Sequence, residues 1–162
     1  MSPVSKSSDF KVEARCVRLA AKADDVASLA PAVERRAISH SAEQVLIEVK
    51  AAAVNPSDVK AATGLMPYAV FPRTPGRDYA GVVIDGPAGS VGREVFGSSG
   101  DLGIRRDGTN ATHLAVELEA VVEFLERASC LRLNKLRLRG DVRRVVLVRP
   151  DAVDDAFGQI ER

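Results

Sequence analysis

Apolar and polar residues alternate imperfectly over residues 12 to 20 (VEARCVRLA) and again over residues 44 to 54 (QVLIEVKAAAV). A side-chain period of two, carried by β-branched residues, predicts two half-buried strands that neighbour one another in a small sheet or barrel. Between them, residues 33 to 39 hold a shorter pattern of the same kind and predict another strand. At Asn55 the pattern changes. Asn55 can cap a helix, Pro56 suits the first helical position, Asp58 favours the positive helix end and Gly64 can close it, which predicts a short helix from 56 to about 63. Residues 65 to 75 contain Pro67, Pro72 and Pro75 and predict an irregular loop. YAGVVI over residues 79 to 84 is the next strand. Glycines at 86, 89, 92, 97, 100, 103 and 108 then punctuate two extended pieces, 93 to 96 and 112 to 122. Short strands with frequent turns predict a mainly β fold with short helices, a barrel or sandwich-like core.

Beyond residue 122 the character shifts. From Leu131 to Arg149 there are seven basic residues and one acid, alternating with Leu and Val around a Gly140-Asp141 pair that could turn a hairpin. After Pro150, the side chains of Ala152, Val153, Ala156, Phe157 and Ile160 fall on one helical face, with Asp151, Asp154 and Asp155 near its start, which predicts a C-terminal amphipathic helix.

At 162 residues the chain is expected to form one domain rather than two. Residues 1 to 11 read as a loose polar terminus, 12 to 122 as the domain body and 123 to 162 as a tail. The formal charge of +1 provides no global field to attract nucleic acid or a membrane surface. No stretch approaches the roughly 18 apolar residues of a membrane span, and the first residues lack an apolar signal core, so a cytoplasmic location is the expectation. Cys16 and Cys130 lie far apart and fit reduced thiols. With two Cys, two His and no CxxC or HxxxH spacing, the composition argues against a structural zinc site.

The segment VLIEVKAAAVNPSDVKAATG, followed by PRTPGRDYAGVV and VGREVFG, resembles the N-terminal catalytic domain of the medium-chain dehydrogenase/reductase superfamily, and within it the zinc-independent quinone oxidoreductase branch. The resemblance implies a GroES-like, partly open β-barrel over about residues 12 to 122. It also implies reduction of a quinone or enone by hydride from NADPH, without zinc. In the zinc-dependent relatives a cysteine ligand stands at the position of Asn55 and a histidine ligand at that of Arg77, and neither replacement is a good Zn²⁺ ligand. By the same resemblance Asn55 lies near the nicotinamide, while Ser57, Asp58, Arg77 and Asp78 line or support the cleft. Lys60 stands where some relatives place a cofactor-contacting tyrosine. Where related enoyl reductases place a proton-donating tyrosine this chain has Met66, with Tyr68 two residues on as the candidate donor.

Each candidate also has a structural reading. Asn55 and Asp58 serve equally well as a helix cap, and both roles can hold together. Arg77 and Asp78 can form an ion pair worth roughly 0 to 1 kcal/mol. Tyr68 and Tyr79 read as packing residues, because a phenol with a pKa of about 10 donates poorly without activation. His113 reads as a barrel-rim residue. The run GSSGDLGIRRDG has GxxGxxG spacing rather than GxGxxG, with no βαβ unit after it, and reads as a barrel loop rather than a phosphate loop. Without aromatic residues to stack on bases, the basic stretch 132 to 149 reads as a solvated strand face.

In full-length members of the superfamily the nucleotide-binding domain is inserted before a short segment that returns to the barrel. Residues 134 to 137 (NKLR), 144 to 148 and DAVDDAFGQIER resemble that segment weakly, against the alternative of an unrelated tail. The expectation is a reductase half, one wall of a two-domain cleft, inactive alone. The other expectation is a non-catalytic module that pairs with a homologous reductase subunit. A basic-hairpin nucleic-acid binder comes third.

Overall fold

The computed structural model describes residues 10–98, 100–123 and 146–148. In chain order these form β1 (Lys11–Arg18), β2 (Ala32–Ser39), β3 (Gln44–Val54), α1 (Pro56–Ala62), β4 (Asp78–Asp85), β5 (Glu94–Ser98), β6 (His113–Glu117), β7 (Val122–Glu123) and β8 (Val146–Val148). β1 and β2 pair as a two-stranded antiparallel sheet. The other strands form a six-stranded sheet in the order β6-β3-β4-β5-β7, with β8 added to β3 at Ala52, Ala53 and Val54. Among the described residues neither sheet closes on itself, so the architecture there is mainly β and partly open, with one short α-helix.

β3 is the axis of the core. Val45, Leu46 and Ile47 are all fully buried, an unbroken run that a strict in-and-out alternation would not produce. Register shifts at Leu46/Ile47 and at Val49/Ala51 in its pairing with β4 account for it, because each bulge re-aims the side chains that follow. Val45, Ile47, Val49 and Ala52 pack against Tyr79, Val83, Val95, Leu102, Leu114 and Val116 from the flanking strands and loops.

The glycine run serves packing. Gly76 has φ +98°, and a Cβ there would meet Thr109 Oγ1 at 2.5 Å and Asn110 Oδ1 at 2.6 Å. A Cβ on Gly103 or Gly108 would strike the backbone of Gly76 itself. Two loops therefore cross with backbone against backbone, which only glycine permits. Gly97 lies directly across from Tyr79, whose ring covers it.

Two expectations change. First, β1 does not neighbour β3 but pairs with β2 in a separate sheet. The extended piece over 112 to 122 is interrupted: β6 ends at Glu117, a 3-10 turn spans Leu118–Ala120, and only then does β7 begin. That turn lets the chain leave the β3 edge and rejoin the sheet beside β5. The hairpin at Gly140-Asp141 and the helix over 151 to 162 lie outside the described residues, as does Cys130. Among the described residues no helix is long and apolar enough to cross a membrane.

Candidate functional site

Asn55 stands where β3 hands over to α1. Its backbone is extended (φ −105°, ψ 157°), as an N-cap requires, and Pro56 fixes the first helical position behind it. The carboxylate of Asp58 returns to the start of the helix, where Oδ2 accepts the Asn55 backbone N–H at 2.7 Å. The Asn55 side-chain amide Nδ2 donates to Asp78 Oδ2 at 2.6 Å. Three of the sequence-predicted residues are thus joined in one chain, Asp58 to Asn55 to Asp78, tying the helix start to the first residue of β4.

Arg77 does not pair with Asp78. Its Nη2 donates to the Gly100 carbonyl at 3.3 Å, while its Nε is buried with no hydrogen-bond partner. In place of the expected ion pair, Asp78 accepts from the Asn55 amide and Arg77 donates to a loop carbonyl. Asp58 is 4% exposed, and its Oδ1 also lacks a partner. Burial pushes its carboxyl above the usual range, the charge of Asp78 adds to this, and the Asn55 N–H with the charges of Arg73 and Arg77 pull the other way.

Ser57 is half-buried in the first turn of α1, and Lys60 is exposed in its last turn. Tyr68 lies in the loop after the helix, 51% exposed, with the Arg105 guanidinium 5.7 Å from its ring centre. Among the described residues no hydrogen bond joins it to the Asn55 chain. Tyr79 is buried in the core, where burial raises its phenol to about 12, so it packs and does not donate protons near neutrality.

Two residues escaped sequence reasoning. Arg73, between two prolines in the loop before β4, is 2% exposed, and none of its guanidinium nitrogens has a hydrogen-bond partner among the described residues. An arginine in a proline-rich loop carries no signal of burial. His40 is also buried, with Nε2 2.9 Å from Asp85 Oδ2 and Nδ1 2.8 Å from the Ser41 carbonyl. His113 is half-buried at the start of β6 beside Thr112, and burial lowers its pKa.

The donor set does not suit a metal. Asn55 and Arg77 offer an amide and a cation, and among the described residues no three His, Cys, Asp or Glu side chains converge to hold an ion. The unpartnered polar atoms here, Arg77 Nε and Asp58 Oδ1, are themselves buried, so a bound group would meet the Asn55 and Asp78 side chains before either of them. A pyrophosphate finds no cradle in the glycine run, whose Gly103 and Gly108 face the chain's own backbone.

The family model described as the alcohol dehydrogenase GroES-like domain matches residues 41–125. A zinc-type alcohol dehydrogenase-like protein of Schizosaccharomyces pombe is 46% identical over an alignment 93 positions long that covers 53% of this chain and 29% of that protein. Among solved structures, a thermostable alcohol dehydrogenase from Pyrobaculum aerophilum aligns with a TM-score of 0.60 at 22% identity, covering 71% of this chain and 42% of the other. A quinone oxidoreductase from Coxiella burnetii aligns with a TM-score of 0.57 at 21% identity, covering 71% and 38%. These two likenesses concern the fold. The chain spans less than a third of the length of its yeast relative.

Proposed function

The chain belongs to the alcohol dehydrogenase GroES-like domain family of the medium-chain dehydrogenase/reductase superfamily, and from that membership we propose that it is the substrate-side half of an NADPH-dependent, zinc-independent quinone or enone reductase. The carrying observation is the Asp58-Asn55-Asp78 chain. At the positions where zinc-dependent members place a cysteine and a histidine, this protein has Asn55, engaged to Asp78, and Arg77, bonded to the Gly100 carbonyl.

In this reading Asn55 lies near the nicotinamide, and the buried Asp58 and the half-buried Arg77 support that wall of the cleft from behind. Lys60, exposed at the end of α1, meets the more distant, negatively charged part of the cofactor. When bound, NADPH supplies the hydride and its electron pair. Ser57 donates a hydrogen bond to the substrate oxygen, and Tyr68 supplies the proton that completes reduction. The family cleft has two walls and the chain spans 29% of its yeast relative, so the 162-residue chain by itself holds the nicotinamide end only and does not turn over.

Amide NMR of the full chain with NADPH tests the reading. Shifts concentrated at Asn55, Ser57, Asp58, Lys60 and Arg77, still rising at millimolar cofactor, are expected. Shifts elsewhere, or none, would sink it.

A second reading is a non-catalytic module that pairs with a homologous reductase subunit. Phe96 and Val122, opposite one another on β5 and β7, are 38% and 51% exposed at the sheet edge and favour this reading. Sedimentation of the chain alone and with an intact homologue separates the two.

A further inference from the structure

A cleft of about 310 Å³ opens between β2, β6 and the loop at residues 106–108, and none of Asn55, Asp58, Arg77 and Asp78 lines it. Strand register explains its walls. On one edge of β1, Arg36 stands opposite Ala14; on the other, Ala111 stands opposite Cys16, and the Thr112 N–H donates to the Arg15 carbonyl at 2.9 Å. Residues directly opposed in an antiparallel pair point to one side of the sheet, as do residues two apart on a strand. Arg36 and His113 therefore rise from opposite edges of β1, roughly 10 Å or two strand spacings apart, with Cys16 between them on the cleft floor. At about 30 Å³ for each water, the space holds on the order of ten waters. A ligand of about that many non-hydrogen atoms fits it.

Three guanidinium groups stand in or beside this cleft, and two are already engaged by acids. Arg18 gives Nη1 to Asp107 and Nη2 to the Pro72 carbonyl at 3.0 Å, with Glu34 3.9 Å from its Nε. Arg106 holds Glu117 with both Nη atoms, at 2.9 and 3.2 Å. Arg36 is the remainder. It is exposed, makes no hydrogen bond among the described residues, and stands 3.9 Å from Asp107 Oδ2, beyond hydrogen-bond reach. Asp107 also lines the cleft, but its Oδ1 already takes both Arg18 and the Thr74 N–H at 2.8 Å. On the facing wall, Thr112 Oγ1 accepts the Arg15 N–H at 3.1 Å and lies 3.0 Å from His113 Nδ1. The Thr112 proton is thus free for Nδ1, and the neutral ring carries its own hydrogen on Nε2. Among the described residues no hydrogen bond uses that Nε2.

We propose that this cleft is a second binding site, for a compact monocarboxylate with an apolar body. The two carboxylate oxygens match the planar fork of Arg36, and His113 Nε2 donates to the same group from the opposite wall. Ile38, Ala111 and Leu114 cover the apolar body. Asp107 sets the charge limit, since its carboxylate repels a dianion more than a monoanion. The site shares no residue with the reductase cleft, so either can fail without the other.

Amide NMR of the full chain with benzoate tests the site, with benzyl alcohol and inorganic phosphate as probes of the apolar and anionic halves alone. Benzoate is expected to shift Arg36, Ile38, His113 and Leu114 and to saturate with a dissociation constant of about 1 mM. Both other probes are expected to bind at least about tenfold more weakly. Arg36→Gln removes a charge that no hydrogen bond of the described fold uses, and should weaken benzoate about tenfold; His113→Phe should weaken it about threefold. Arg35 is the control, because it points to the other side of β2 and pairs with Glu13 at 2.8 Å. Arg35→Gln should leave the affinity unchanged. Benzoate shifts that do not saturate, or that fall elsewhere, overturn the proposal. So does benzyl alcohol or phosphate binding as tightly as benzoate, or Arg35→Gln weakening it as much as Arg36→Gln. Loss of the fold in Arg36→Gln would make Arg36 a structural residue and overturn it equally.

Discussion

Asn55 and Asp58 show how a single pair of side chains can be read correctly in type and differently in detail. The sequence NPSD announces a helix start, and the helix starts there. Its closure, though, comes from the Asp58 carboxylate reaching back to Asn55, while the Asn55 amide is spent on Asp78, twenty-three residues away in sequence. Local pattern reveals a cap; it cannot reveal a partner delivered by a different strand. The same limit hid Arg73, whose burial depends on Leu19 pairing across the fold. Glycines were more legible, and they give the prediction at this scale. Gly76→Ala places a methyl against Thr109 and Asn110 at a left-handed backbone position, and should cost about 2 to 4 kcal/mol from overpacking and backbone strain together. Gly89 has φ +81° with open space around it, so Gly89→Ala should cost only about 1 to 2 kcal/mol. Urea denaturation of both variants checks the ordering, and equal losses would mean the loop crossing is not tight.

Among elements, β3 and α1 lie where hydrophobic pattern and turn chemistry put them, because a central buried strand and a capped helix are both specified by nearby residues. The piece after residue 112 was less legible, since the turn at Leu118–Ala120 has no glycine or proline to mark it. Between β2 and β3 a second feature was unreadable: His40 reaches Asp85 at the far end of β4. Carbonyl and carboxylate oxygens only accept, so the protonated ring, with a donor on each nitrogen, satisfies Ser41 O and Asp85 Oδ2 together. Burial works against that charge, but the hydrogen bonds to Asp85 and Ser41 outweigh it and raise the pKa above 6.5. A raised folded-state pKa contributes stability that is complete below the unfolded value and fades as pH climbs through the folded one. Denaturation midpoints should therefore fall as pH rises from about 6.5 upward, and Asp85→Asn should flatten that slope. A slope unaltered by Asp85→Asn would assign the effect to another group.

At the scale of the molecule, the six-stranded sheet brings Asn55, just past the end of β3, beside Asp78 at the start of the neighbouring β4, so the fold itself sets the two cleft residues side by side. Family and fold class were legible because AAAVNPSD and PGRDYAGVV keep order and spacing, and the comparisons bear both out. Roles for Ser57, Lys60 and Tyr68 stay proposals, since the site's other wall belongs to a part of the relatives this chain does not span. The most direct test of the central claim, one wall of a zinc-free cofactor cleft, is a fluorescence titration of the 162-residue chain with NADPH. The account predicts no saturation up to about 1 mM cofactor. A saturable curve with a dissociation constant in the micromolar range would contradict it.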